Sequence, residues 1–369
     1  MEKTVVLFGA GATKACGGPL TNEILYDTYQ PGGLDSNNFT ELLDEFLVDN
    51  FHLSPDRSSR HINDYPGLPL LISLVDTAVD RSQPFNNRWD VNKMLQVREA
   101  LEYTIFALIK KKLESSFNNY YYRFLAKLAS RNDNHLPDVV SLNYDIIADN
   151  ALIHLMIDHY EGFRYVPNYG CEISSDDYNK RLGPANLFKL HGSLNWLYCP
   201  ACHRLEIGMS RSGDFMRKEL YRLYDSQDFD KVYTKGLEAS YSREDDRCKD
   251  PCCHTKLKPI MITPTHLKDY RNPHISSVWY GAERSLREAD HIYIVGYSLP
   301  EDDIDVIYLL KRGLQNIKPE NVTVVEYVDE DGPNVPIGDH PVGLRYKNLF
   351  GDQINWHTQG FSKFVQSMN

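Results

Sequence analysis

Three short polar stretches hold the residue types from which a reactive site could be built: Gly9-Ala10-Gly11-Ala12-Thr13, Ser141-Leu142-Asn143-Tyr144-Asp145 and Lys189-Leu190-His191-Gly192-Ser193-Leu194-Asn195-Trp196. A histidine titrates near neutrality and can move a proton there. A carboxamide holds a hydroxyl or a water through one donor group and one acceptor group, and a carboxylate orients such groups. Backbone amides at a glycine turn that opens a helix point at an anion, and the helix dipole adds to the attraction. Gly9, Ala10, Gly11 and Thr13 are therefore candidates to meet a phosphate. The turn lacks the third glycine of the dinucleotide fingerprint at its usual place, and glycine turns also serve packing alone in many α/β folds. Gly17-Gly18-Pro19 suggests a loop able to change shape over a ligand.

Seven cysteines supply a second chemistry. Cys199-Pro200-Ala201-Cys202 has the two-residue gap of a zinc knuckle, whereas Cys248 to Cys253 is wider. Cys199, Cys202, Cys248 and Cys253 can together offer four thiolates, with Cys252, His203 or His254 as substitutes, or the thiols can stand unmetallated. A closed four-ligand site is structural and would pin the two ends of the intervening segment together. Cys16 and Cys171 are isolated and receive no role.

The elements that must position these residues read as an α/β fold. Val5-Val6-Leu7-Phe8 is a continuous apolar run ending at glycine, as a parallel strand buried on both faces requires. Similar runs recur at 138–141, 187–190, 259–262, 291–295 and 322–325, with helical stretches between several of them. The expected fold class is a doubly wound, mostly parallel Rossmann-like sheet carrying a helical insertion and a small cysteine-containing module. Asn143, Asp145 and His191 follow strands directly, which sets them at the carboxyl edge where open α/β sheets bind ligands. Residues 1–30, 126–198 and 255–369 are assigned to the core, 31–125 to the insertion and 199–254 to the module. Helical spacing marks Phe39 to Leu47 and Val97 to Leu113. Ser54 to Pro69 is expected as loop, and Arg211 to Arg247 as a polar helical stretch.

At 369 residues the chain exceeds the about 250–300 at which one core stops growing, consistent with a single large domain bearing insertions. Its 42% hydrophobic and 25% charged residues are those of an ordinary globular protein. A net charge of −11 argues against a surface built wholly for nucleic acid, without deciding a local role; Lys110-Lys111-Lys112 is read as the wet face of a helix. The strand pattern begins at once, with no secretory signal, and no window approaches the roughly 18 apolar residues of a membrane span. A cytoplasmic location is expected, where disulfides are rare.

The order of Gly9-Ala10-Gly11-Ala12-Thr13, Asn143-Tyr144-Asp145, His191-Gly192, a CxxC pair flanking an insertion, and Gly296-Tyr297-Ser298-Leu299-Pro300 resembles the sirtuin superfamily. The resemblance covers most of the chain outside the helical insertion. Within that superfamily it is similar to the bacterial sirtuin-like domains of antiphage defence systems, whose motifs read like Ser-Leu-Asn-Tyr-Asp and Leu-His-Gly-Ser-Leu-Asn-Trp. The resemblance implies that NAD is bound, with Asn143 at the ribose or a water, His191 as general base and Asp145 orienting the ring or the asparagine. It implies that Gly9, Ala10, Gly11 and Thr13 meet the diphosphate, that Gly296 and Ser298 line the adenosine side, and that Glu326 accepts from a ribose hydroxyl.

Departures from the deacylase pattern bear on the acceptor. Leu142 stands where deacylases resemble one another in a glutamine, Gly18-Pro19-Leu20-Thr21 replaces their arginine-bearing loop, and Ile262 to Leu267 offers no counterpart of their peptide-clamping Phe-Gly-Glu. Water is then the expected acceptor. The implied function is hydrolysis of NAD to nicotinamide and ADP-ribose, depleting NAD during abortive infection. Protein deacylation or ADP-ribosyl transfer, and NAD or ADP-ribose sensing without turnover, are the alternatives. Relatives of this kind are commonly homo-oligomers, and some pair with a HerA-type ATPase; this chain carries no ATPase motif of its own.

Overall fold

The computed structural model describes residues 2–115, 118–160, 165–174, 176–207, 248, 250–255, 257–261, 272–329 and 331–368. The expected helical stretch from Arg211 to Arg247 and the segment Ile262 to Leu267 lie outside the described residues. In chain order, β1 (Thr4–Phe8), α1 (Ala10–Ala15) and α2 (Ile24–Thr28) open the fold. Then come α3 (Asn38–Phe51), α4 (Leu68–Asp80), α5 (Val91–Ser115) and α6 (Tyr120–Arg131). β2 (Asp138–Ser141), α7 (Ile147–His159), β3 (Val166–Asn168), α8 (Asp176–Asn179), β4 (Leu182–Lys189), β5 (Gly192–Tyr198), β6 (Leu205–Ile207) and β7 (Lys258–Met261) follow. The chain continues through α9 (Pro273–Arg287), β8 (His291–Val295), α10 (Ile304–Gly313), β9 (Val322–Val325), α11 (Pro341–Phe350), β10 (Asn355–His357) and α12 (Gly360–Ser367).

Seven strands form one sheet in the order β10-β9-β8-β1-β2-β4-β3, and every neighbouring pair is parallel. β1 lies at its centre, so Val5, Val6, Leu7 and Phe8 are fully buried and need no polar alternation. Each such side chain contributes about 1.5–3 kcal/mol of burial. Of the run at 259–262, expected in this sheet, residues 259–261 instead fall in β7, which pairs antiparallel with β5 in a separate three-stranded sheet of order β6-β5-β7. An apolar run marks a buried strand without naming the sheet that buries it. β3 and β10 were not foreseen: each is only three residues long and sits at a sheet edge.

The insertion shares one continuous apolar core with the sheet, Phe46, Trp89 and Leu101 belonging to it with Phe8 and Val140. Asn37 caps α3, its side-chain oxygen accepting from the amides of Phe39 and Thr40, while the Thr40 hydroxyl accepts from the Asn37 amide. The stretch expected as loop contains two short 3-10 turns, Arg57–Ser59 and Ile62–Asp64. It is pinned by Arg57 and Arg60, whose guanidinium groups both pair with Asp44. Lys111 and Lys112 tie α5 to the segment before α3: Lys111 donates to the Gly33 carbonyl, and Lys112 pairs with Asp27 at 2.8 Å. Among the described residues no helix is long and apolar enough to cross a membrane.

Candidate active site

The strands on one side of β1 are β2, β4 and β3, and those on the other are β8, β9 and β10, so strand order reverses between β1 and β8. The crevice outside the carboxyl ends of two such strands is where open α/β sheets bind ligands. The turns leaving these two strands touch. The Gly9 amide donates to the Val295 carbonyl at 2.9 Å, and the Gly11 amide to the Gly296 carbonyl at 2.8 Å. Gly296 sits at φ +64, and a Cβ there would lie 2.2 Å from the Ala12 nitrogen. Glycine is needed here because two backbones meet. Gly9 and Gly11 thus spend their amides on the β8 turn, and the expectation that these two amides meet a diphosphate finds no free donor at either.

A cavity of about 320 Å³ opens at this point. Ala10, Thr13, Asn143, Asp145, His191, Gly296 and Ser298 line it, bringing together seven of the expected site residues from four segments. The insertion adds Leu68, Pro69 and Ile109, and the loop after β8 adds Tyr297, Asp302 and Asp303. Among the described residues no lysine or arginine lines the cavity. Gly9, Gly11 and Glu326 do not line it either. Glu326 follows β9, where its amide donates to the His357 carbonyl at 2.8 Å and its carboxylate accepts from the Tyr327 amide at 2.9 Å. Burial pushes its carboxyl above the ordinary range, against the pull of His340 and Arg345. The loop carrying Ser298 is held instead by α11: Arg345 donates twice to the Ser298 carbonyl, at 3.1 and 2.8 Å, and the Tyr346 hydroxyl donates to the Tyr297 carbonyl at 2.6 Å.

The three candidate reactive residues have defined hydrogen-bond directions. Asn143 donates through Nδ2 to the Gly9 carbonyl at 2.9 Å and to the Tyr121 hydroxyl at 3.1 Å, and its Oδ1 takes no bond from the described residues. Asp145, only 2% exposed, accepts from the Ile147 amide at 2.9 Å, which starts α7, and from the Thr13 hydroxyl at 2.5 Å. Burial raises its pKa, and the Lys189 ammonium opposes that shift. Nδ1 of His191 lies 3.1 Å from the Leu142 carbonyl. A carbonyl can only accept, so Nδ1 carries the proton and the neutral ring keeps its basic lone pair on Nε2. Tyr144 and Trp279 flank the imidazole, with ring centroids 6.4 and 6.5 Å away.

Lys189 joins the two loops from below. It is fully buried at the last position of β4, donates to the Asp145 carbonyl and pairs with Asp149 at 3.1 Å. The Tyr169 hydroxyl completes Asp149 at 2.5 Å. A lysine between Phe188 and Leu190 in an apolar run is the sequence signal for this buried ion pair. Tyr121 gave no such signal; it lies on α6, 22 residues before Asn143.

The sulfurs of Cys199, Cys202, Cys248 and Cys253 lie within 4.8 Å of one another. Cys199 and Cys253 stand 3.5 Å apart, and Cys202 and Cys248 3.4 Å, far beyond the about 2.05 Å of a disulfide. A tetrahedral zinc with sulfur at about 2.3 Å puts its ligands close to these separations, so the donor set fits a structural zinc. Cys253, not Cys252, joins the group; Cys252 is exposed. The wider gap is absorbed within the second loop. The Cys199 amide donates to the Arg204 carbonyl and the Cys248 amide to the Thr255 carbonyl, closing both loops alike, and the residue after each second cysteine, His203 or His254, is left-handed. β5 carries the cluster at its Tyr198 end and follows His191 at its Gly192 end.

No family model and no curated protein matches the chain. Among solved structures it is similar to a Sir2 homologue in complex with NAD, at 13% identity over 99% of this chain and 86% of that one, with a TM-score of 0.42. A mutant Sir2 homologue in complex with ADP-ribose gives 13% identity over 99% and 89%, with a TM-score of 0.41. A structure described as the basis for the mechanism and regulation of Sir2 enzymes gives 13% over 99% and 89%, at 0.38. At this level of likeness the site stands on its own geometry.

Proposed function

We propose that this chain hydrolyses NAD to nicotinamide and ADP-ribose. The observation that carries the reading is one cavity at the sheet's reversal point lined together by His191, whose Nδ1 faces the Leu142 carbonyl, by Asn143, whose Nδ2 is turned to the Gly9 carbonyl and Tyr121, and by the buried Asp145. Cleavage breaks the bond between the ribose C1′ and the nicotinamide nitrogen. Its electron pair neutralises the pyridinium, so the leaving group needs no strong acid. What the protein must supply is stabilisation of an oxocarbenium-like centre and a positioned nucleophile. Asn143 holds a ribose hydroxyl or the attacking water, His191 takes the proton that water loses as its oxygen bonds to C1′, and Asp145 fixes Asn143 and the turn. The carboxylates of Asp145, Asp302 and Asp303 among the described lining residues suit a cationic nicotinamide ring better than further phosphate.

Leu68, Pro69 and Ile109 of the insertion wall one side of the cavity and favour water over a peptide acceptor. The same wall gives binding without turnover its support, since a covered pocket suits a sensor. Incubation with NAD, alone and with an acetyl-lysine peptide, separates the readings. Free ADP-ribose in both mixtures marks hydrolysis, an acylated ADP-ribose formed only with peptide marks deacylation, and tight binding with no product marks sensing. In the defence setting that the motifs resemble, such an enzyme depletes NAD in infected cells and rests inactive until assembly into an oligomer, or a partner such as a HerA-type ATPase, switches it on. The four cysteines would hold the zinc of a closed structural site, outside the chemistry.

A further inference from the structure

Tyr121 enters the site from α6 and touches none of the three candidate reactive groups except Asn143. Its ring is fully buried and stacked on Phe8 at 4.0 Å, and its hydroxyl lies 3.1 Å from Asn143 Nδ2 and 3.4 Å from Thr13 Oγ1. The proton directions follow by elimination. A carboxamide nitrogen only donates, so the Tyr121 oxygen accepts from Asn143. Thr13 has one proton, and gives it to Asp145 at 2.5 Å. The contact between Tyr121 and Thr13 is therefore made by the phenol proton. The bonds run one way, from Asn143 through Tyr121 and Thr13 to the Asp145 carboxylate, and bonds in such chains polarise one another. Burial holds the Tyr121 phenol well above its ordinary pKa, so it stays a donor.

We infer that Tyr121 is a positioning residue, whose hydroxyl links Asn143 to the charge on Asp145 and locks the carboxamide with Oδ1 as the group left for a ligand. Both Nδ2 protons are committed, one to Tyr121 and one to the Gly9 carbonyl at 2.9 Å. A flipped amide would set Oδ1 against that carbonyl, two acceptors facing each other. The inference rests on the NAD-hydrolase reading for its kinetic consequence, while the lock itself is independent of turnover.

Tyr121→Phe keeps the ring on Phe8 and removes only the oxygen. It is expected to lower kcat by about 10- to 100-fold, as loss of a positioning contact does, with KM for NAD changed less than about threefold. Thr13→Val cuts the chain one link later, and the double variant is expected to lose little more than either single one. In added methanol, the ratio of methyl-ADP-ribose to ADP-ribose shifts in Tyr121→Phe if Asn143 no longer holds the nucleophile. The Asn143 carboxamide signal, assigned by its loss in Asn143→Ala, is followed by ¹⁵N NMR; it moves and its protons exchange faster in Tyr121→Phe. Wild-type kcat and an unmoved signal in a folded Tyr121→Phe overturn the inference. No turnover by wild-type protein defeats the hydrolase reading instead, and the carboxamide signal still decides the lock.

Discussion

Replacing Gly296 by alanine asks whether the glycines at the crossing of β1 and β8 serve packing or ligand. At φ +64 an alanine pays about 1–2 kcal/mol for the left-handed backbone. Its Cβ would stand 2.2 Å from the Ala12 nitrogen and 2.5 Å from the Gly11 carbonyl carbon, both backbone atoms that no rotamer change can move aside. Separating the two turns adds about 1–3 kcal/mol of overpacking and weakens the bond from the Gly11 amide, worth about 1 kcal/mol. The sum is roughly 3–6 kcal/mol, a large part of the about 5–15 kcal/mol that holds a domain together. At about 2 °C per kcal/mol it lowers Tm by roughly 6–12 °C. Gly9→Ala, with extended backbone at φ −109 and a Cβ 2.6 Å from the Gly296 oxygen, carries the steric part alone and should cost about 1–3 kcal/mol. Gly338→Ala, with nothing within 4 Å, should melt within about 0.5 kcal/mol of the parent. Thermal and urea unfolding, read beside NAD binding, give the answer. A Gly296→Ala protein that melts like the parent while losing NAD affinity would refute the packing argument and return the turn to phosphate binding.

Two further outcomes follow from the buried charge and the thiols. Burial raises the folded-state pKa of Asp145 above its unfolded value, so the native state holds the proton more tightly, and the stability this residue contributes falls as pH rises from the ordinary carboxylate range through the raised pKa. Asp145→Asn should remove that downward slope from ΔG against pH while abolishing turnover; urea unfolding across pH 4 to 8 measures it, and an unchanged slope would show that another group dominates. The purified chain should contain stoichiometric zinc, lost in Cys199→Ser. Chelation should lower Tm and slow turnover, because β5 runs seven residues from Gly192, next to His191, to the cysteine cluster. Metal analysis and melting check this, and a metal-free protein of unaltered Tm would argue for bare thiols.

How much was legible in the sequence depended on what buries each residue. β1, β2, β9 and the 187–189 end of β4 are covered on both faces, so their runs show without alternation, and the polar motifs that follow β1, β2 and β4 stand at the carboxyl edge. That much led to Asn143, Asp145 and His191 in one place. β10, with Asn355, Trp356 and His357 on an edge, has no such run to read. The fate of Gly9 and Gly11 was hidden because a glycine turn looks the same whether its amides face a ligand or, as here, the carbonyls of Val295 and Gly296. Glu326 has the right position at a strand end, yet the chain folds it beside Tyr327 and the β10 strand, away from the cavity lining. Long-range partners such as Tyr121, and the insertion's Leu68 and Ile109, leave no local pattern because their positions are set by helix packing.

The central claim is tested most directly by following nicotinamide and ADP-ribose by chromatography after NAD is mixed with the purified chain, alone and with the protein encoded beside it, for parent and His191→Ala. Equal release of both products by the parent, and loss of most of it in a His191→Ala protein with unchanged melting, is the result expected. Tight NAD binding with no nicotinamide released under either condition, or release that survives His191→Ala, would contradict it.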